Sequence, residues 1–123
     1  SYRLTEHEHY ITQQVEQLVQ LQPEAFVEVP AELAREKGIA HGDRVRVSSK
    51  RGKLEVRAVV TNRLGALQID GRKVYQIGIP IHWGFVGINT GQHWLANALT
   101  PFVGDASART PEFKAFLVNI EKM

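Results

Sequence analysis

The sequence predicts a mainly β fold with short helices, organised as a small β-barrel with helical inserts. Segments in which apolar and polar residues alternate recur along the chain, and this two-residue period is typical of strands with one buried face. Glycine and proline break the stretch from Gly78 to Lys114 so often that neither one helix nor one strand can span it. The 123 residues, 43% of them hydrophobic and 23% charged, suffice for one domain with its own core. We expect a single domain over 1–123, with a lead-in and helix over 1–20 and the barrel over 21–123.

The first third of the chain predicts two helices around a short strand. Apolar residues at positions 11, 15, 18, 19 and 21 have helical spacing, which predicts a helix over Tyr10–Gln20 that ends before Pro23. The alternating stretch Ala25–Val29 predicts a strand. Pro30 then opens a second helix, and Gly38 closes it as a C-cap.

The middle of the chain predicts a β-hairpin. Arg44–Ser49 and Lys53–Asn62 both alternate and are joined at Lys50, Arg51 and Gly52. One face of this hairpin is predicted to point inward and the other outward. The inward residues are Val45, Val47, Leu54, Val56 and Ala58, and the outward residues are Arg44, Arg46, Glu55 and Arg57.

Three further elements are predicted in the second half. Leu67–Asp70 and Arg72–Ile79 are predicted to form a strand pair, or one interrupted strand, turned at Asp70 and Gly71. His93–Leu99 predicts a short helical turn. The apolar run Lys114–Ile120 predicts a closing strand.

Charge is distributed unevenly along the chain. Residues 1–43 carry three basic and eight acidic side chains, residues 44–73 carry nine basic and two acidic ones, and residues 74–123 carry three of each. A basic middle third suits nucleic acid, a phosphate-bearing cofactor or an acidic partner subunit. The alternative is a solvated strand face whose cations pair with the acidic first third, and the sequence leaves both open.

Motifs and composition exclude several kinds of site. With no cysteine, the chain has no disulfide, no thiolate metal ligand and no cysteine nucleophile. The sequence contains no apolar run near the roughly 20 residues of a membrane span, and we expect no signal peptide before Tyr2. It also lacks the glycine-rich phosphate motifs, the nucleophile elbow and the helical zinc motif. His7 and His9 share one face of an extended segment, but they have no evident third metal ligand, and a polar lead-in is the alternative.

The stretch Gly78–Lys114 holds both tryptophans and five of the ten glycines. A segment of this kind is costly to order unless it packs on the core, on a partner chain or on a large polar ligand. The rings of His82 and Trp83 suit stacking on a planar ligand, with a buried corner of the core as the alternative. Amide and hydroxyl groups in this stretch can pair with heterocycle edges or phosphate oxygens, although turn formation and helix capping are their usual uses. These groups belong to Asn89, Thr90, Asn97 and Thr100.

Four segments together carry a resemblance to a known family. They are YRLTEHEHY at 2–10, LQPEAFVEVPAELAREKGIAHGDRVRVSSKRG at 21–52, IGIPIHWGF at 77–85 and NALTPFVGDASARTPEFKAFLVNIEK at 97–122. The chain resembles the C-terminal molybdopterin-dinucleotide-binding domain of the formate dehydrogenase catalytic subunit, in the molybdenum/tungsten oxidoreductase family. The resemblance implies a six-stranded double-psi β-barrel that helps to enclose a bis-(molybdopterin guanine dinucleotide) cofactor with molybdenum or tungsten.

The resemblance also implies which residues contact this cofactor. Asn97, in the NALT element, and Lys114, in the PEFK element beside Phe113, match ligands of the cofactor in related enzymes. The first segment would run along the cofactor, and the HWGF turn would close over a pterin. The implied contacts in these two regions are Arg3, Leu4, Thr5, His7, His9 and Tyr10 in the first, and His82, Trp83, Asn89 and Thr90 in the second.

The same resemblance implies a role that is not catalytic by itself. Because the chain has no cysteine, it supplies neither the metal ligand nor the iron–sulfur cluster motif of the family. It is expected to be inactive alone and to assemble with the remainder of a catalytic subunit and an iron–sulfur electron-transfer subunit. The holoenzyme would oxidise formate to CO2 in the cytoplasm or periplasm. Arg51 and the basic hairpin would then face solvent or another subunit, while a basic DNA-binding β-barrel is the alternative function.

Overall fold

The computed structural model describes residues 15–81, 83, 95–111 and 115–123. This part of the chain is mainly β with short helices, which confirms the predicted class. Its helices are α1 (Glu16–Leu21), α2 (Ala31–Lys37) and a 3-10 helix (Ala96–Leu99). Its strands are β1 (Phe26–Pro30), β2 (Arg44–Ser48), β3 (Lys53–Thr61), β4 (Ala66–Ile69), β5 (Arg72–Tyr75) and β6 (Asn119–Lys122).

Four of these strands form one mixed sheet in the order β1-β3-β2-β6. β2 and β3 are antiparallel, with Val45 opposite Val56 and Val47 opposite Leu54, whereas β1 runs parallel to β3. All five residues predicted to point inward from the β2–β3 hairpin are buried. The prediction is therefore confirmed. Sequence could predict it because side chains alternate between the two faces of each strand, which is a local property.

The core lies against the inner face of this sheet. Val27 and Val29 of β1 are fully buried, and α2 covers them with Leu33 and Ala34. α2 ends as predicted at Gly38, whose left-handed φ of 66° lets its N–H and that of the next residue return to the last helical carbonyls. α1, where the structure describes it, begins at Glu16, within the predicted helix.

β4 and β5 form a separate two-stranded sheet. The turn between them lies at Asp70 and Gly71, both with positive φ, as expected for a tight hairpin. The interpretation as a strand pair is therefore confirmed, although β5 ends at Tyr75 and not at Ile79. Every residue of β4 is exposed.

The predicted closing strand at Lys114–Ile120 is wrong in its position. Residues 115–118 are not a strand, and β6 runs from Asn119 to Lys122. The reason is long-range pairing with β2, which sets Ile120 opposite Val47 and buries it to 4% exposure. Leu117, which the apolar run had assigned to the strand, is 85% exposed.

An open groove of about 670 Å³ lies beside the four-stranded sheet. Near β1, Gly78 forms an isolated bridge to Glu28. Residues on both sides of Gly78 in the chain line the groove, and so do residues 115–120. No hydrogen-bonded strand pair closes the sheet within the described residues, so the six strands lie in two sheets. Apolar side chains line much of the groove, among them Leu33, Leu67, Ile69, Val74, Ile77, Ile79, Phe116, Leu117, Val118 and Ile120.

Candidate functional site

The 3-10 helix presents Asn97 to solvent on a firmly anchored turn. Residues three apart lie on the same side of a 3-10 helix, and here Ala96 and Leu99 are both fully buried. Asn97 and Ala98 consequently face outward and are exposed. The Asn97 side-chain amide makes no hydrogen bond to another residue in the described ranges. A primary amide offers both a donor and an acceptor, so Asn97 is available to a ligand.

Thr100 holds the backbone of this turn. Its N–H and its hydroxyl both donate to the Asn97 carbonyl oxygen, at 3.2 and 2.9 Å. Thr100 is 8% exposed, so these bonds also satisfy a buried polar group. The threonine of the NALT element therefore has the capping role that the sequence allowed, and the asparagine remains exposed.

The tip of the β2–β3 hairpin lies against the same 3-10 helix. The Ser49 N–H donates to the Gly52 carbonyl oxygen at 2.9 Å, and the Arg51 N–H donates to the Ser49 hydroxyl at 3.1 Å. A Cβ atom on Gly52 would lie 2.7 Å from the Ala98 carbonyl oxygen, closer than real Cβ contacts occur. Gly52 therefore allows close contact between the two segments, which places the exposed Lys50–Arg51 tip beside the turn that carries Asn97.

A compact loop follows the 3-10 helix. Gly104 bridges to Pro111, and the Asp105 carboxylate accepts hydrogen bonds from the N–H groups of Ser107 (2.9 Å) and Ala108 (2.7 Å). These two bonds, Ala108 first, lower the pKa of Asp105 below its usual value. The loop therefore fixes where the chain returns before the PEFK element. Asp105 is not among the site residues predicted from the sequence, although aspartate followed by small residues is typical of such side-chain turns.

Of the other predicted site residues, Trp83 is buried, and the rest lie outside the described ranges. Trp83 is 1% exposed and packs in the core cluster. Its position favours the alternative of a core corner over direct stacking on a ligand. The predictions that fall outside the described residues concern Arg3, Leu4, Thr5, His7, His9, Tyr10, His82, Asn89, Thr90, Phe113 and Lys114.

Three of the nine basic residues in the middle third pair with acidic residues of the first third. Arg57 pairs with Glu24, Arg63 with Glu28 at 2.6 Å, and Lys73 with Glu32. The hydrogen bond between Lys73 and Glu32 lowers the pKa of the carboxyl and raises the pKa of the amine. For these three cations, the pairs support the alternative of a solvated, ion-paired face.

On the exposed face of the sheet, Arg46 forms a second set of pairs. Its guanidinium contacts Glu55 at 3.1 Å on β3 and Glu121 at 3.6 Å on β6. Glu55, followed by the Glu121 carboxylate, raises the pKa of Arg46. On the hairpin face, Arg46 and Arg57 are thus paired with carboxylates. Neither these contacts nor the comparisons below support the nucleic-acid alternative.

The two cations at the hairpin tip, Lys50 and Arg51, lack the ion pairs that Arg46 and Arg57 form. No acidic side chain in the described ranges forms an ion pair with Lys50 or Arg51, both of which are exposed. Within the same ranges, no group of three or more His, Cys, Asp or Glu residues could hold a metal ion. No helix described by the structure is long and apolar enough to cross a membrane.

Comparison with known proteins identifies the class to which this fold and site belong. Residues 1–117 match the family model described as "Molydopterin dinucleotide binding domain". The chain belongs to this family. A structural comparison with acetylene hydratase from Pelobacter acetylenicus gives a TM-score of 0.52 at 19% identity, over 65% of this chain and 10% of that chain. At this identity the likeness concerns the fold alone.

Several curated relatives are formate dehydrogenase subunits. The chain is 54% identical over 123 residues to the formate dehydrogenase-O major subunit of Escherichia coli (strain K12), covering 100% of this chain and 12% of that protein. It is 56% identical over 122 residues to the nitrate-inducible formate dehydrogenase major subunit of the same strain, covering 99% and 12%. The formate dehydrogenase major subunit of Haemophilus influenzae is 50% identical over 125 residues, with 100% and 12% covered. The chain thus spans about an eighth of the length of these relatives.

Proposed function

We propose that this chain forms one wall of the site for a bis-(molybdopterin guanine dinucleotide) cofactor in a formate dehydrogenase. The observation that carries the proposal is the exposed Asn97 amide, held on a buried 3-10 turn. The relatives at 50–56% identity, all named formate dehydrogenase major subunits, support the enzyme assignment. In this role the chain binds and shields the cofactor, while formate is oxidised to CO2 elsewhere in the assembly.

The donor chemistry of the described turn fits such a ligand. Guanine and pterin rings present adjacent donors and acceptors at their edges, which a primary amide can match with its oxygen and its NH2 group. Asn97 is exposed, and Thr100 holds the backbone from which its side chain projects. We assign the edge contact to Asn97, and we propose Lys114 as a charged partner for a phosphate group.

We propose that the remaining contacts come from segments that match the family. Trp83 would act differently from its neighbours, because a ring that is 1% exposed supports the loop from the core and has no free face for stacking. The other proposed contacts are Arg3, Leu4, Thr5, His7, His9, Tyr10, His82, Asn89, Thr90 and Phe113.

When bound, the cofactor's molybdenum or tungsten supplies the redox chemistry of formate oxidation. This chain has no cysteine and so gives the metal no thiolate ligand and holds no cysteine-bound iron–sulfur cluster. Its own contribution is to bind and orient the dinucleotide and to exclude water from it. The chain alone is therefore proposed to be inactive.

We propose that the complete domain is a six-stranded double-psi β-barrel whose closure lies across the groove. The groove is lined by segment 76–79, in which Gly78 bridges to β1, and by segment 115–120, which leads into β6, and this supports the geometry. Exposed apolar side chains nearby, Leu67, Ile69 and Leu117, suit packing against the rest of a catalytic subunit. An iron–sulfur electron-transfer subunit is the proposed further partner.

A replacement experiment tests the proposal. The matching segment of the E. coli formate dehydrogenase-O major subunit is exchanged for this chain, and bound guanine nucleotide is measured after acid hydrolysis. We expect the chimera to retain the dinucleotide and formate oxidation, whereas a subunit that lacks the segment loses both. A correctly folded chimera without bound guanine nucleotide would contradict the proposed function.

A further inference from the structure

We propose that Lys50 and Arg51, at the tip of the β2–β3 hairpin, bind the phosphate groups of the guanine dinucleotide. This inference rests on the proposed function and extends it to residues of the basic hairpin, which the family resemblance predicts to face solvent or another subunit. It gives the cofactor site a second, cationic element in addition to the Asn97 turn.

The first argument is position. Gly52 follows the tip directly, and a Cβ atom on it would lie 2.7 Å from the Ala98 carbonyl oxygen, so the two backbones are too close for a side chain between them. Asn97 precedes Ala98, so the tip and the exposed amide lie on two segments in direct contact. An edge contact from Asn97 to the dinucleotide would therefore bring the ligand's phosphates within reach of long basic side chains next to it.

The second argument is order at the tip. The Ser49–Gly52 hydrogen bond closes the hairpin, and the Ser49 hydroxyl accepts from the Arg51 N–H. Lys50 and Arg51 form the turn at the end of this hydrogen-bonded hairpin. Their backbone is held by these bonds, while their side chains extend into solvent. Binding an anion there therefore costs less conformational entropy than binding it on a flexible loop.

The third argument is charge. Arg46, Arg57, Arg63 and Lys73 all pair with carboxylates of this chain. At the tip, the two adjacent cations repel each other, and no carboxylate in the described ranges forms an ion pair with either of them. A pyrophosphate would neutralise both, and guanidinium groups bind phosphate oxygens through paired, charge-assisted hydrogen bonds.

Arg44 provides a matched control on the same strand. It is exposed and, like the tip, has no ion pair within the described ranges. Lys50 lies six positions further along the chain, which corresponds to about 20 Å of extended backbone. That distance is well beyond the Debye length of about 8 Å at physiological ionic strength, so removing its charge leaves the potential at the tip nearly unchanged.

The test uses the E. coli formate dehydrogenase-O chimera that carries this chain, with the dinucleotide inserted in the cell. Lys50→Ala/Arg51→Ala, Arg51→Lys and Arg44→Ala are compared for the rate at which bound guanine nucleotide is lost at low and at high salt. Each lost charge-assisted bond weakens binding by about tenfold or more, so the double variant should lose nucleotide at least about tenfold faster at low salt. Its loss rate should also depend less on salt.

The controls separate this inference from the proposed function. Arg44→Ala should lose nucleotide at the rate of the unsubstituted chimera, and Arg51→Lys should lie between that chimera and the double variant. Equal retention by the double variant and the unsubstituted chimera would overturn the inference. If Asn97→Ala then still releases nucleotide faster, the proposed function survives, and only the phosphate role of the tip is rejected. Urea unfolding of the double variant checks that both substitutions leave the domain folded.

Discussion

Substituting Gly52 by alanine tests whether the hairpin tip and the Asn97 turn are held in contact. The added Cβ would lie 2.7 Å from the Ala98 carbonyl oxygen, 3.4 Å from its carbon and 3.5 Å from the Ala98 Cβ. The nearest atom belongs to backbone, so it cannot rotate away as a side chain would. Inserting a methyl group into such a contact costs about 1–3 kcal/mol, and the less flexible unfolded chain offsets about 0.4–1 kcal/mol of this. We expect Gly52→Ala to lower the free energy of unfolding by about 1–2 kcal/mol.

The assay is urea unfolding of the 123-residue chain, with two glycine controls. Gly65 has open space around it and no left-handed φ, so Gly65→Ala should be neutral or slightly stabilising. Gly38 also has open space but a φ of 66°. Gly38→Ala should therefore lower stability by about 1–2 kcal/mol through backbone conformation alone.

Cofactor retention then separates the two destabilising glycine variants. In the chimera, Gly52→Ala should release the dinucleotide faster because it displaces the turn that carries Asn97, whereas Gly38→Ala should not. Unchanged stability and unchanged retention in Gly52→Ala would refute the claim that the two segments pack closely.

Two further predictions concern the stability of the core and the loss of stability at acidic pH. Trp83→Ala should lower the free energy of unfolding by about 3–5 kcal/mol, because the ring is 1% exposed in the core. A loss below about 1 kcal/mol in urea would show that it is not a core residue. The pKa values of Asp43 and Asp105 are lowered, chiefly by hydrogen bonds from the N–H groups of Ala40 and Ala108. Their stabilising effect is complete above the unfolded value of about 4 and is lost as pH falls through the folded value. Asp43→Asn and Asp105→Asn should each flatten the loss of stability below about pH 5 in acid titrations, and an unchanged slope would contradict the assigned hydrogen bonds.

The parts of the fold that sequence predicted well are those that depend on local patterns. The β2–β3 hairpin alternates with a period of two, and all five residues expected inside are buried. The β4–β5 turn followed from Asp70 and Gly71, whose backbone preferences fix a tight hairpin. In both cases the residues that decide the structure are neighbours in the chain.

The parts that sequence missed depend on contacts between distant residues. The apolar run before Asn119 looked like a strand, yet pairing of Ile120 with Val47 determines where β6 begins. The contact between Gly52 and Ala98 joins segments far apart in the chain, and no local pattern predicts it. Asn97 was identified through family resemblance, while its exposure follows from the burial of Ala96 and Leu99 on the opposite side of the turn.

The central claim is that the exposed Asn97 amide contacts the dinucleotide. The most direct measurement is the guanine nucleotide bound per polypeptide in the E. coli chimera with Asn97 or with Asn97→Ala. Loss of a hydrogen-bonding partner that leaves a polar ligand group unsatisfied costs about 1–3 kcal/mol. We therefore predict faster release and reduced content in the variant, with the unfolding free energy of the chain unchanged. Full nucleotide content and an unchanged release rate in Asn97→Ala would contradict the account.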